Sequence, residues 1–367
     1  MRAWVEVDLG AVKRNAERLH DAAGRPIVAM VKADGYGTGA VTVVRELVTL
    51  GERLWGFGVA TLDEARELRS AGIDARSLCC TPLLPAELPD ARRLDVRPAL
   101  HRAADIATWN DTRGGAWHLA IDTGMSRAGV RWDEAHELVP AIERCAPEGV
   151  FTHFHSAERG DGTREEQERR FERALDALRS ALPPNVLEHR DNSAAIASRV
   201  ATGTSAEHRR SPGALARPGI GLYGAFVADA LGLEQVVHVR ARVIDVRMVR
   251  DGETVSYGAT FIAHGSRRIA TISIGHGDGY RQAFSGKGRV LLHGAHVPVA
   301  GIVSMDMTML DVTDVRCDVG DVVTLVGRDG NELLSTDAVA RSGAISPYEL
   351  LVGLALRAPR ICFGGSA

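Results

Sequence analysis

Between residues 27 and 224 the chain repeats one pattern, a short apolar run, a polar turn and an amphipathic helical stretch, and this repeat narrows the fold more than any other feature. The runs are Ile27–Val31, Trp55–Ala60, Ser77–Thr81, Val96–Leu100, Trp117–Ile121, Val150–His155, Val186–His189 and Gly219–Tyr223. Eight is the number that closes a parallel barrel. A doubly wound sheet alternates in the same way, but its G-x-G-x-x-G fingerprint is missing, because Asp34-Gly35-Tyr36-Gly37-Thr38-Gly39 spaces its glycines differently. The clearest intervening helix is expected to begin at Thr163, with Glu166 completing a capping box, and to bury Phe171, Leu175 and Leu178 on one face. Beyond residue 230, the segments Val236–Val249, Arg268–Ile274, Gly288–Val303, Met309–Asp311 and Val322–Val326 are β-branched and separated by Asp-Gly, His-Gly and Gly-rich turns. Ala3–Val7 also alternates like a strand and is expected to join them. The reading is an α/β chain: a (β/α)8 TIM-type barrel over residues 8–230, then a C-terminal mainly-β domain over residues 231–367 that takes in the strand at residues 1–7. Near the end, Ser346-Pro347-Tyr348-Glu349 into Leu350–Leu356 reads as a Pro-started helix.

The 367 residues, 45% hydrophobic and 25% charged with a net charge of -3, have the composition of a soluble globular enzyme. Nucleic-acid binding is not expected, because basic residues alternate with acidic ones, as in Arg164-Glu165-Glu166, instead of gathering on one face. Charge interrupts Met1-Arg2-Ala3-Trp4-Val5-Glu6-Val7-Asp8 too early for a signal peptide, and no uncharged stretch is long enough to span a bilayer. Five cysteines without a C-x-x-C, two of them adjacent at Cys79 and Cys80, read as reduced thiols and a cytoplasmic location.

Lys32 closes the first apolar run. Barrel enzymes keep their active sites at the carboxyl ends of the strands, where a water-poor mouth frees an amine for a Schiff base. Taken alone, a strand-end lysine is more often a solvated structural residue. The seventh run, however, ends in Asp191-Asn192-Ser193 and the eighth region reads Ala216-Arg217-Pro218-Gly219-Ile220-Gly221-Leu222-Tyr223-Gly224. Loops after strands seven and eight are where barrels bind phosphate. A phosphate-bearing cofactor opposite a lysine suggests pyridoxal 5′-phosphate (PLP).

Eight ordered stretches then resemble the alanine racemase family: Val31-Lys32-Ala33-Asp34-Gly35-Tyr36-Gly37, Asp122-Thr123-Gly124-Met125-Ser126-Arg127-Ala128-Gly129, Thr152-His153-Phe154-His155, Asn192-Ser193-Ala194-Ala195, Arg217 through Gly224, Ser256-Tyr257-Gly258-Ala259-Thr260, Ile274 through Tyr280, and Gly301-Ile302-Val303-Ser304-Met305-Asp306. The resemblance implies a PLP-dependent isomerase acting on a small amino acid, interconverting L- and D-alanine and so supplying D-alanine for peptidoglycan. It further implies a homodimer in which each β domain completes its partner's active site. Within it, Lys32 resembles the cofactor-binding lysine and the base for the D-amino acid, and Tyr257 the base for the L-amino acid, donated by the other subunit. A phenol is a weak base at neutral pH and needs a nearby cation; Arg127 resembles the residue that contacts the cofactor's phenolic oxygen and the substrate carboxylate, with the Met305 backbone N–H as second carboxylate contact. Tyr36, Ser193, Gly219, Ile220 and Tyr348 resemble the phosphate-binding set. Arg217 resembles the residue facing the pyridine nitrogen; an arginine holds its proton, so the nitrogen stays unprotonated and side reactions are limited. His153 matches a residue packed on the cofactor ring.

Three positions depart from the family pattern. Ala120 stands where many members carry a lysine that becomes carboxylated and orients the arginine equivalent to Arg127, so another anion is expected to hold Arg127 in a site of low dielectric. His276 replaces a tyrosine near the substrate channel, and Thr38 a common histidine. Four other readings compete. Serine is an alternative substrate, since a small pocket discriminates one hydroxyl weakly. A non-catalytic PLP-binding homeostasis protein would share the barrel but lack Ser256-Tyr257-Gly258. A metal-dependent barrel hydrolase would use His153 and His155 as an H-x-H pair, although no carboxylate cluster converges with them. A fold-related decarboxylase would be expected to use a C-terminal cysteine and an acidic partner for the ring nitrogen.

Overall fold

The computed structural model describes residues 1–203, 213–226, 228–354 and 357–366. After β1 (Ala3–Asp8) come β2 (Ile27–Met30), β3 (Leu54–Val59), β4 (Ser77–Cys79), β5 (Val96–Leu100), β6 (His118–Asp122), the two-residue β7 (Val130–Arg131), β8 (Gly149–Phe151), β9 (Leu187–Asn192) and β10 (Ala214–Arg217). The parallel order β5-β4-β3-β2-β10-β9-β8-β6 closes on itself through β5 and β6, so the eight-stranded barrel stands. Strands covered on both sides run apolar, as β2 does with every residue buried. Polar residues that break that rule include His118 on β6, His189 on β9 and Arg217 on β10, all of them buried.

Two local expectations are corrected. The eighth strand is Ala214–Arg217, and Ile220–Tyr223 is a 3-10 turn beyond it. Pro218 cannot donate to a ladder and ends the strand, while the glycines at 219, 221 and 224 suit a turn. The helix at Thr163–Leu178 buries Phe171, Leu175 and Leu178 as expected but forms no capping box. Asp161 takes the Thr163 amide and hydroxyl, and the Glu166 carboxylate turns to Arg169 and Arg170 one helical turn on.

The C-terminal part comprises β11 (Val237–Val249), the small hairpin β12 (Thr254–Val255) and β13 (Phe261–Ile262), β14 (Arg267–Ile272), β15 (Arg289–Leu292), β16 (Ala295–Pro298), β17 (Thr308–Asp311), β18 (Val322–Asp329), β19 (Glu332–Leu334) and β20 (Arg360–Phe363). Its sheet runs β16-β15-β18-β11-β1-β20, with β14 and β17 continuing from the far half of β11. The chain's first strand lies in this sheet, antiparallel to β11 and parallel to β20. Asp8 then caps the first barrel helix, Leu9–Ala23, by accepting from the Ala11 amide, so strand and helix meet without a loop. The Pro-started helix is Pro347–Gly353, capped by Ser346; residues 355 and 356, over which the sequence pattern would continue it, lie outside the described residues.

Candidate active site

Lys32 leaves the carboxyl end of β2 directly into a short turn of unusual hand. Ala33, Asp34, Gly35 and Tyr36 all have positive φ, at 52°, 52°, 62° and 55°. For residues with a Cβ this costs roughly 1–2 kcal/mol each, so the turn must be held from outside. Glu64 spans it, accepting from the Ala33 and Ala60 amides at 2.7 Å each. Asp34 accepts from the Ala40 amide at 2.8 Å and from the Arg360 guanidinium on β20. Strain concentrated in one turn and braced by charged groups marks a functional position.

Lys32, Arg127 and His153 line one cavity of about 320 Å³ at this end of the barrel, with Cys80, Ala120 and Phe151. His153 is kept neutral: burial first, then the charges of Arg217, Arg127 and Lys32, bring its pKa down to about 3. His155 lies past the strand, exposed and bonded to Ser156, and among the described residues no three His, Cys, Asp or Glu side chains are grouped to hold a metal ion. Arg127 sits on a loop that Asp122 fixes by accepting from the Gly124 and Ser126 amides. Contrary to expectation it is exposed, because nothing in a single chain covers it.

A second cluster adjoins the first. Ser193 opens the helix Ser193–Thr202, and its hydroxyl accepts from the Gly219 and Gly221 amides at 3.0 and 3.2 Å, which leaves its own proton to donate. The Tyr36 ring stacks on Tyr223 at 4.7 Å and lies 6.1 Å from that of Tyr348, and a Cβ on Gly219 would come within 2.4 Å of the Tyr36 oxygen. Burial pushes the Tyr348 phenol up to about 12 and that of Tyr36 above the ordinary range, so both stay protonated donors. A helix N-terminus, a serine hydroxyl, two phenols and a glycine turn too tight for a side chain fit a phosphate group. Ile220 begins the turn, buried. Arg217 is buried beneath, its guanidinium 4.9 Å from the Phe151 ring centre, donating to the Thr152 carbonyl at 2.5 Å and to the carbonyl and Nδ1 of His189 at 2.6 and 2.7 Å.

Tyr257 and Met305 stand apart from both clusters. Tyr257 projects from the turn between β12 and β13 and is 71% exposed, and Met305 is 58% exposed. Tyr257 lines a different cavity, between β11, β14 and that hairpin.

Residues 7–226 match the profile of the alanine racemase N-terminal domain and residues 236–362 that of the alanine racemase C-terminal domain. The chain belongs to the alanine racemase family. It is 36% identical to the alanine racemase of Syntrophobacter fumaroxidans over 95% of this chain and 94% of that protein. Among solved structures it is similar to the alanine racemase of Bacillus anthracis with bound L-Ala-P, at a TM-score of 0.85 and 29% identity over 99% of this chain and 95% of that one. It is also similar to that of Bartonella henselae with covalently bound pyridoxal phosphate, at a TM-score of 0.87 and 26% identity over 99% of this chain and the whole of that one. PLP dependence follows from this membership. The sequence motifs do not cover Glu64, which braces the lysine turn, or His189, which holds Arg217, and they give no role to Tyr223, on which Tyr36 stacks. For His189 there is a signal: a histidine inside a strand that the barrel covers on both sides.

Proposed function

We propose that this chain racemises alanine by a two-base mechanism in which Lys32 and Tyr257 serve opposite faces of Cα. The observation that carries the reading is one barrel mouth that brings Lys32, Arg127 and His153 to a single cavity beside the phosphate-shaped cluster of Ser193, Gly219 and Tyr36. Lys32 would hold the cofactor and move a proton to and from the D face through Nζ; Tyr257 would do the same on the L face through its phenolic oxygen. Arg127 and the Met305 amide would orient the substrate carboxylate. Tyr36, Ser193, Gly219, Ile220 and Tyr348 would hold the phosphate, Arg217 would face the pyridine nitrogen, and His153 would pack on the ring. Bound PLP supplies the electron sink for the charge left on Cα when a proton departs.

Tyr257 does not line the Lys32 cavity, and a second copy that supplies the tyrosine would bring the two bases together. Exposed Met248, Ile262, Met305 and Met307 on the same part of the chain give the β domain the apolar surface that an interface needs. We therefore read the working unit as a homodimer with shared sites. A cytoplasmic location fits the five free cysteines, and among the described residues no helix is long and apolar enough to cross a membrane. D-alanine made there would serve peptidoglycan synthesis.

The test is a visible absorbance spectrum of purified protein, borohydride fixation of the cofactor, and a chiral assay with L-alanine and L-serine side by side. Lys32→Ala is expected to abolish fixation; a variant that still retains reducible cofactor would remove Lys32 from its role. Faster turnover of serine would reassign the substrate.

A further inference from the structure

The buried guanidinium of Arg217 forms no ion pair with a carboxylate among the described residues, yet a file of hydrogen bonds leads from it along the barrel interior to one. Arg217 donates to Nδ1 of His189; Nε2 of His189 lies 2.6 Å from Nδ1 of His118; Nε2 of His118 lies 3.2 Å from the Glu148 carboxylate, which also accepts from Arg97 at 2.6 Å. Only one proton arrangement satisfies all of these contacts. Arginine has no acceptor, so Nδ1 of His189 must be bare and its proton must sit on Nε2. That proton points at Nδ1 of His118, which must then also be bare, leaving the His118 proton on Nε2 aimed at Glu148. Every donor points the same way.

The surroundings enforce the arrangement. Both imidazoles are fully buried, and burial lowers the pKa of each; the charge of Arg217 adds to this at His189, while at His118 burial outweighs the opposing pull of Glu148. Burial alone would raise the Glu148 carboxyl, but the hydrogen bonds from His118 and Arg97 outweigh it and hold the pKa down to about 2. A Cβ on Gly149 would lie 2.6 Å from His118 Nδ1, so the sequence leaves a gap where the two rings meet. Aligned bonds in a dry interior strengthen one another.

We propose that Glu148 is a positioning residue for racemisation: from the opposite end of the barrel, through His118 and His189, it fixes the tautomers of the file and with them the direction in which the Arg217 guanidinium can donate. This rests on the reading that Arg217 faces the cofactor's pyridine nitrogen. Nitrogen-15 NMR of histidine-labelled protein, with and without PLP, is expected to show both His118 and His189 as Nε2–H tautomers, with the His189 proton far downfield. Glu148→Gln should shift that proton upfield and, in the loaded protein, shift the visible absorbance band and raise transamination relative to racemisation. Arg97→Gln, which keeps the carboxylate, should preserve the tautomers. An Nδ1–H tautomer at His189 in the unaltered protein overturns the proposal without any variant being needed. So does a Glu148→Gln protein whose tautomers change while its cofactor band stays in place; in that case cofactor binding and Lys32 keep their roles and only the relay is lost. A protein that binds no PLP at all would instead refute the functional reading, and the tautomers would still report on the relay.

Discussion

Ala120 shows what one missing side chain does to charge at the barrel mouth. It packs with Ala99 and Phe151 in a small apolar cluster and lines the same cavity as Arg127. A carboxylated lysine cannot form there, and among the described residues no carboxylate is paired with Arg127. If, as proposed, a partner subunit covers it, an uncompensated guanidinium would be costly to desolvate, so a small anion such as chloride is expected to occupy the space. Depleting bicarbonate should leave activity unchanged, whereas replacing chloride with an inert larger anion should raise KM for alanine. Equal kinetics in both media would eliminate the anion. Lys32, Arg127 and His153 are legible in the sequence because each stands in a motif whose neighbours match. His118 and Glu148 are not, because nothing local in sequence tells that their side chains meet across 30 residues.

At the scale of elements, the phosphate cluster depends on a strand that ends early. Gly219–Tyr223 reads as an apolar run, but Ala214–Arg217 is the true eighth strand, too short for periodicity to reveal, and Pro218 releases the glycine-rich segment after it to fold as a turn against Ser193 and Tyr36. The left-handed turn after Lys32 is equally hidden, since Gly35 and Gly37 announce positive φ but Ala33, Asp34 and Tyr36 do not. The forces that impose it are tertiary: Glu64 and Arg360 come from other elements. Gly219→Ala tests the cluster. Its methyl would sit 2.4 Å from the Tyr36 oxygen, and overpacking of this kind costs about 1–3 kcal/mol of folded-state stability. The melting temperature of the cofactor-free protein should therefore fall, and PLP binding should weaken as well because Tyr36 is pushed out of the cluster. An unaltered PLP affinity would place the phosphate elsewhere.

The molecule as a whole should lose stability in acid from the histidines downward. In the unfolded chain an imidazole takes its proton below about pH 6.5, but folded His153 does so only near 3, and His118 and His189 are depressed as well. Between those values the unfolded state holds more protons, so stability rises with pH and is lost as the pH falls from about 6.5. The depressed Glu148 carboxyl adds the same sign in a lower window, full above the ordinary carboxylate range and lost toward 2. Melting temperature should be level above neutrality and decline below it, with a shallower decline in His153→Gln; a flat profile from pH 7 to 5 would mean that the imidazoles are not held neutral. The proposed dimer supplies a sharper test, because a shared site would make two dead variants complementary. Lys32→Ala retains Tyr257, and Tyr257→Phe retains Lys32. When the two are dissociated, mixed and reassociated, random pairing puts half of the dimers in the mixed state, and each mixed dimer has one site with both bases and one with neither. About a quarter of wild-type activity should therefore return, the share that a two-fold symmetric dimer with shared sites would set. If each chain carried a complete site of its own, mixing would restore nothing above the sum of the separate variants, and Tyr257 would have to reach its own Lys32 by a rearrangement of the β domain.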